Sequence, residues 1–444
     1  MTRRTRLAWD FEARYARGQH CRTKVRRVDQ GEWRPRARNF DLASFLLAAN
    51  RGRLPNLLPI KFGRMAASPF GFFRGAVPLM ASDLAGLPTT GLACQICGDA
   101  HVLNFGAYAI TGRRLVFDIN DFDETTAGPW EWDIKRMAAS IVLAGREAGV
   151  SDNECKLAAR GLVRAYRTTL QQFSRMSVLE VARFEVHRHM RILPIESALH
   201  KAEHATPLET LEKLTISGKR SPRVFREQKP LLSHLPHGTI RQVLAALRPY
   251  RNSLVPRLHH FFDQYRPADV AFKVVGTGSV GLRDYVVLLF GSHPDDPLFL
   301  QVKEEPTSAY APYLRNRSVY SNQGQRVVEG QRRMQSHSDM LLGWTSMDGR
   351  DYLVRQLRDH KAAVDPSDLK GRNLADYAQL CGELLAKGHG RSGDFCALAG
   401  YCGSASKLDR AIAKFAIAYA DQTTADYEKL RQAVRNGQIK TARA

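Results

Sequence analysis

Ten residues near position 100 carry the chemistry of this chain. CGDAHVLNFG at 97–106 sets a carboxylate, Asp99, five residues ahead of a carboxamide, Asn104. A second segment, FDINDFDE at 117–124, crowds Asp118, Asp121, Asp123 and Glu124 into one short turn behind an apolar run. Carboxylates that close repel one another unless cations or donors answer them. Mg²⁺ takes hard oxygen ligands, usually one or two carboxylates plus substrate phosphates. A base, an amide and a metal-binding Asp, in that order, are the parts that phosphoryl transfer to a hydroxyl requires. In these terms Asp99 is the candidate general base or positioner of the acceptor hydroxyl. Asn104 and Asp121 are candidate Mg²⁺ ligands, with Asp118 and Asp123 as further ones; loop capping and Asx turns are the bland alternatives. His101 reads first as a hydrogen-bonding brace and second as a substrate contact. Arg64 and Arg74, set among aromatics in FGRMAASPFGFFR (62–74), stand as anion-holding residues or as ordinary surface arginines.

A second constellation lies downstream. Gly276, Gly278 and Gly281, with Thr277 and Ser279 between them, spell GxGxxG. Chance alone predicts on the order of 0.2 such matches in a chain of this glycine content. Its setting gives it weight. It joins two β-runs, VAFKVV (270–275) and DYVVLLF (284–290), as a hairpin over phosphates would, and not a strand to a helix as in a dinucleotide fold. A third run, LFLQVK (298–303), ends in Lys303, a candidate partner of nucleotide phosphates. Helical spacing over 316–337 carries Glu329, placed to pair with Lys303 in competition with Glu304 and Glu305. Two short strands follow, around 341–344 and 352–357, joined at Asp348 and Gly349.

These elements must position the chemistry, and their order is informative. Strand, glycine loop, strand, lysine strand, glutamate helix and two strands is the order of a kinase small lobe. There it precedes the catalytic loop; here it follows. One cyclic rotation, starting near 268, puts every element in kinase order, with a hinge at 355–358 and a helix at 373–389 ahead of the 97–106 loop. Permutation is tolerated where the cut falls in a loop and the old ends can be joined. The expected fold is therefore α+β, a two-lobed protein-kinase-like fold in circularly permuted order, with a small antiparallel β lobe and a larger, mostly helical lobe. Residues 1–90 form a basic, partly flexible arm and a helical extension, and 91–267 the catalytic and metal-binding lobe. Residues 268–360 form the β lobe, and 361–444 are helices packing on the large lobe. Further helices are expected at 41–50, 130–149, 151–185 and 408–434, and a broken helical stretch at 195–265. Strands are expected at 95–98 and 114–118.

At 444 residues the chain exceeds one ordinary core. A 44% hydrophobic and 25% charged composition excludes disordered and fibrous classes. No apolar run is long enough for a membrane span, and no apolar stretch follows the basic start as in a secretory signal. Seven cysteines, an odd number, point to free thiols and a cytoplasmic location. Cys94 and Cys97 have CxxC spacing without a matching second pair, so zinc or redox use stands against a simple buried strand. The net charge of +22 would suit nucleic acid, an anionic membrane face or a polyphosphate ligand. Basic residues crowd 3–38 and 219–229 but recur along the whole chain. A nucleic-acid partner is open but not favoured over a basic surface that attracts an anionic substrate.

The 97–106 segment resembles the HGDxHxxN loop of aminoglycoside phosphotransferases and choline kinases. NDFDE at 120–124, with Trp132 and Asp133 after it, resembles their metal-binding segment, and Asp121 fits that spacing better than Asp118. Cys97 stands where those enzymes carry His, which puts the loop-bracing role of that position in doubt. More closely, the chain resembles the bacterial domain of unknown function 2252 family over most of 55–430. The likeness is carried by SPFGFFRG (68–75), both acidic motifs, 276–281, LQVKE (300–304), GQRVV (324–328) and 389–394. This resemblance implies a family and a kinase-like fold, and no substrate. The expected activity is ATP–Mg²⁺-dependent phosphoryl transfer to a hydroxyl of an unknown small molecule or protein, with nucleotidyl transfer as a variant. A metal-dependent phosphoesterase or nuclease would leave the glycine loop and Lys303 without a purpose. Intact Asp99, Asn104 and Asp121 argue against a non-catalytic nucleotide-binding protein. The acceptor and the oligomeric state are not legible.

Overall fold

The computed structural model describes residues 10–34, 38, 40–110, 114–186, 192–218, 223–314, 319–357 and 362–442. Parts of the basic runs (3–9, 35–37 and 219–222) and the end of the expected hinge, residue 358, lie outside the described residues. The fold is α+β with antiparallel sheets.

Strands β1 (Ala93–Ile96), β2 (Phe105–Ala109), β3 (Leu115–Ile119) and β4 (Thr126–Pro129) frame the two acidic segments. Short strands β5 (Thr215–Ser217), β6 (Arg223–Phe225) and β7 (Leu232–His234) precede β8 (Arg266–Lys273), β9 (Asp284–Phe290) and β10 (Pro297–Glu304). Then come β11 (Gly343–Met347), β12 (Arg350–Gln356) and the two-residue β13 (Ala362–Ala363), which pairs with β2. Six of them form one sheet in the order β11-β12-β10-β9-β8-β7, every pairing antiparallel. Asp348 (φ 52°) and Gly349 (φ 68°) close the β11–β12 hairpin, both in the left-handed region that a tight two-residue turn needs.

The early helices are α1 (Phe11–Lys24), α2 (Leu42–Ala49), α3 (Leu58–Met65), α4 (Pro69–Gly75) and α5 (Val77–Ala85). The middle of the chain adds α6 (Trp130–Glu147), α7 (Asp152–Phe173), α8 (Val178–Arg183), α9 (Leu193–His204), α10 (Pro207–Leu214), α11 (His237–Ser253) and α12 (His259–Phe262). Last are α13 (Gln323–Met334), α14 (Arg372–Ser392), α15 (Phe395–Cys402) and α16 (Lys407–Arg435).

Both faces of the large sheet are covered, which explains why β9 reads as an unbroken apolar run. Tyr285, Val287 and Leu289 face Val243, Leu247 and Tyr250 of α11. Val286 and Leu288 face Leu211 and Leu214 of α10. The broken helical stretch expected at 195–265 thus contains strands β5–β7, each three residues long and too short to show alternation.

A separate core sits among the helices. From Trp130 to Gly145, every residue of α6 is buried. Helices α7, α14 and α16 surround it, and Gly382 of α14 lies so close to α7 that a side chain there would meet the Leu162 carbonyl. Ser151 caps α7 in a capping box with Glu154. Residues 11–24 of the expected basic, partly flexible arm form helix α1. It docks on α15, where Gly18 meets Ala397, Arg14 bonds Asp394 at 2.7 Å and Arg27 donates to the Cys402 carbonyl at 3.0 Å. Arg14 and Arg17 share Asp394 and Arg22 donates to the carbonyls of Gly400 and Tyr401, so these cations do not hold the helix off. Leu57 and Ile60 reach across to Val274 and Val280, joining the amino-terminal helices to the glycine loop. No helix among the described residues is long and apolar enough to cross a membrane.

Candidate functional site

The loop after β1 is pinned from below. Asp133, in the first turn of α6, accepts from Cys97 N (2.8 Å) and Gly98 N (2.9 Å). His389 of α14 sits 3.2 Å from the same carboxylate, and its other ring nitrogen meets Tyr166 Oη at 2.9 Å. Bracing therefore passes through the loop backbone and Asp133, with no demand on the side chain of Cys97. Tyr310 and Tyr377 donate to the carbonyls of Gly98 and Val102 at 2.7 and 2.6 Å.

Held this way, Asp99 meets Arg136, one helical turn beyond Asp133. Arg136 Nε and Nη2 both donate to Asp99 Oδ1, at 2.8 and 2.5 Å. The guanidinium is fully buried and lies 4.2 Å over the Phe73 ring. Asp99 Oδ2 is 3.7 Å from His101 Nε2. His101 Nδ1 accepts from Leu103 N (3.1 Å), and burial pushes the ring down to about 3. The neutral ring then carries its proton on Nε2, facing Asp99, which makes it a brace. Asn104 Nδ2 donates to the Asp99 carbonyl (2.8 Å), fixing the amide by its nitrogen and turning Oδ1 away from that bond.

Asp118 does not join the acidic turn. Buried on β3, it is paired through Oδ2 with Lys387 of α14, while Oδ1 accepts from Ile119 N. Both oxygens are taken, so its expected role as a metal ligand fails. Asp121 and Asp123 remain together: Asp121 Oδ1 accepts from Asp123 N at 3.3 Å. Asp123 Oδ2 receives Lys303 Nζ from β10 and Ser279 Oγ from the glycine loop (3.2 Å), and its Oδ1 is buried without a partner. Burial and the neighbouring Asp123 push Asp121 up to about 7. Against the upward push of burial, the Lys303 ammonium holds Asp123 below the carboxylate range. Glu305 is 2% exposed, both its oxygens lack hydrogen bonds, and Oε1 lies 4.0 Å from Lys303.

Glu329 does not pair with Lys303; it bonds Arg332 at 3.0 Å on the half-exposed side of α13. Arg326 instead turns inward from that helix, donating to the carbonyls of Thr125 (2.6 Å), Asp123 (2.9 Å) and Pro306 (3.0 Å).

The glycine loop lies down over this turn. Gly276 (φ 57°) and Gly281 (φ 90°) supply its left-handed corners. Its carbonyls are gripped from the amino-terminal helices: Arg64 at Gly276, Lys61 at Thr277 and Gly278 (3.2 and 2.9 Å), Arg53 at Val280 (2.7 Å). Arg74 rests 5.9 Å from the Phe70 ring with Nε buried and unpartnered, and burial lowers its pKa. A cavity of about 50 Å³ remains between Asp99, Asp123, Glu124, Arg53, Lys61 and Ser279. Cys94 and Cys97 are buried free thiols. Among the described residues no three Asp, Glu, His or Cys side chains already converge as a metal site.

Arg136, Arg326, Arg53 and Lys61 escaped the sequence reading, and Glu305 entered it as a rival of Glu329 for Lys303. A signal existed only for Arg136, one turn after Asp133 and directly ahead of the uncharged run MAASIVLAG (137–145) of α6. A family model described as an uncharacterized protein conserved in bacteria (DUF2252) matches residues 53–433, a span that takes in every residue of this site. No curated protein and no solved structure matches the chain.

Proposed function

Because this chain belongs to the bacterial DUF2252 family, whose description carries no activity, we infer its function from the site alone and propose an ATP–Mg²⁺-dependent phosphotransferase with a circularly permuted, protein-kinase-like architecture. One observation carries the reading. Asp123 receives both Ser279 of the glycine loop and Lys303 of β10, which lie 156 and 180 residues away in sequence. A phosphate-covering loop, a phosphate-binding lysine and a metal-binding carboxylate are the three groups that must meet at a nucleotide's phosphates. The β8-β9-β10 meander, α13 and the β11–β12 hairpin supply the small lobe of this reading, and the helices around α6 the large one.

The donors fit Mg²⁺. Asp121, Asp123 and the Asn104 carboxamide offer hard oxygens, and the buried, unpartnered Asp123 Oδ1 is short of a cation. When bound, the ion would neutralise charge on the phosphates. Asp99 Oδ2, the oxygen Arg136 leaves free, takes the proton of the acceptor hydroxyl. The acceptor oxygen bonds to the γ-phosphorus as the bond to the nucleoside diphosphate breaks, and the diphosphate leaves with that electron pair. The 50 Å³ cavity is far below the roughly 300–1,000 Å³ of a ligand pocket, so this form is closed and the loop lifts to admit ATP. A phosphoesterase would give Lys303 and the loop nothing to do.

Calorimetric titration of the full chain with ATP and Mg²⁺ tests the reading. Lys303→Met should weaken binding about tenfold or more, the loss of one charge-assisted contact. Equal binding by both proteins would overturn it.

A further inference from the structure

The cavity beside Asp99 has more positive charge than its own carboxylates answer. Asp99 is paired with Arg136 and Asp123 with Lys303. That leaves Glu124, which accepts from Ala309 N at 2.7 Å, facing both Arg53 and Lys61. Neither cation makes an ion pair among the described residues. Lys61 is 2% exposed and touches only the carbonyls of Thr277 and Gly278. Arg53 donates once, to the Val280 carbonyl. An ammonium has three donors and a guanidinium five, so most of Arg53 and one proton of Lys61 are unspent. A buried lysine answered by peptide carbonyls alone is costly to hold.

Size narrows the ligand. A water needs about 10–15 Å³ of such volume, so a cavity of about 50 Å³ accepts a group of a few heavy atoms. That is the scale of one phosphate, and far from that of a base or sugar. The position is between the acceptor side of Asp99 and the tip of the glycine loop; Asp123 lines it, but its partner Lys303 does not. The geometry points to a second phosphate site, built by Lys61 and Arg53, that holds a phosphate group already present on the acceptor; the substrate is then a phosphorylated hydroxyl compound. This inference rests on the phosphotransferase reading for its substrate, but the anion site itself does not.

Inorganic phosphate is the probe, and thermal unfolding of the full chain is the readout, with chloride at equal ionic strength as the control. Wild type should gain about 1–2 °C at tenfold saturation. Lys61→Met should lose that gain. Lys303→Met should keep it and lose the shift produced by Mg²⁺–ATP. If Lys61→Met does not fold, Arg53→Gln, nearer the surface, takes its place with the same expectation. The site is overturned if phosphate stabilises no more than chloride, or if the gain survives in both Lys61→Met and Arg53→Gln. It is equally overturned if the gain disappears in Lys303→Met, which would put the anion in the nucleotide site. Absence of any Mg²⁺–ATP shift in wild type would defeat the phosphotransferase reading and leave the phosphate result standing.

Discussion

Asp99 and Asp123 are each held by one cation, and the kind of cation separates their roles. Arg136 is buried, permanently charged and attached through two nitrogens to one oxygen, so it orients Asp99 and leaves Oδ2 exposed to an acceptor. Lys303 offers Asp123 a compact ammonium that other anions can claim. Asp99→Ala should therefore leave ATP affinity nearly unchanged and lower turnover by about 10²–10⁴, measured by binding and phosphate-transfer assays on the same preparation. A parallel loss of both would make Asp99 part of the nucleotide site. Glu305 supplies a different test. Its buried, unbonded carboxylate costs stability, so Glu305→Gln should unfold at the same temperature or higher. Lys303 would lose a carboxyl group 4.0 Å from its ammonium, and Mg²⁺–ATP binding should weaken. A lower melting temperature with unchanged binding would show that Glu305 serves the fold. His101 adds a pH effect. Its ring titrates at about 3 when folded against 6.5 in the reference state. Unfolded chains thus bind more protons between those values, and this residue's stability contribution, whole above pH 6.5, drains as pH falls towards 3. Its imidazole signals in NMR should stay those of the neutral ring at pH 5. Asp99, Asn104 and Asp121 stand out as candidates in the sequence because short-range spacing alone proposes a chemistry for them. Asp118 was misread because Lys387, the partner that consumes it, lies 269 residues away.

At the scale of elements, the strands around the glycine loop were plain in the sequence: long β-branched runs bounded by glycines have few other homes. Helix α13 shows where such reading stops. Periodicity locates a helix but not its rotation against a neighbour outside the pattern. The face that meets the acidic turn carries Arg326 and Gly330, and Glu329 points elsewhere. Gly330 is the close contact: a Cβ there would stand 2.6 Å from Thr125 Oγ1. Gly330→Ala should push α13 off the turn, with a loss of about 1–3 kcal/mol in urea unfolding. Glu329→Ala, on the outer side, should fall within about 0.5 kcal/mol of wild type. Equal effects would mean that α13 docks by another face.

At the scale of the molecule, the two faces of the sheet have cores of their own, Leu353 of β12 and Val327, Val328 and Met334 of α13 join the core of the helical body, and polar ties add to that seam around the acidic turn. Lys303 and Ser279 both converge on Asp123, and Arg326 holds the turn's backbone. From the other side, Arg53, Lys61 and Arg64 grip the loop carbonyls. Apolar packing across the loop sets Leu57 and Ile60 against Val274 and Val280, with Leu54 and Phe272 beside them. Polar ties of this kind can be exchanged for ligand contacts at little net cost, whereas the sheet's own core cannot open without unfolding. Asp123→Asn removes the charge that draws in both Lys303 and Ser279. In hydrogen exchange, amides of 276–282 should then lose protection by about tenfold, one interaction of roughly 1.4 kcal/mol. Amides of β9 and β10, buried between α10 and α11, should be unchanged. If β9 and β10 lose protection together with the loop, sheet and loop open as one unit. Admission of ATP would then require rotation of the whole sheet, and lifting of the loop alone would not be enough.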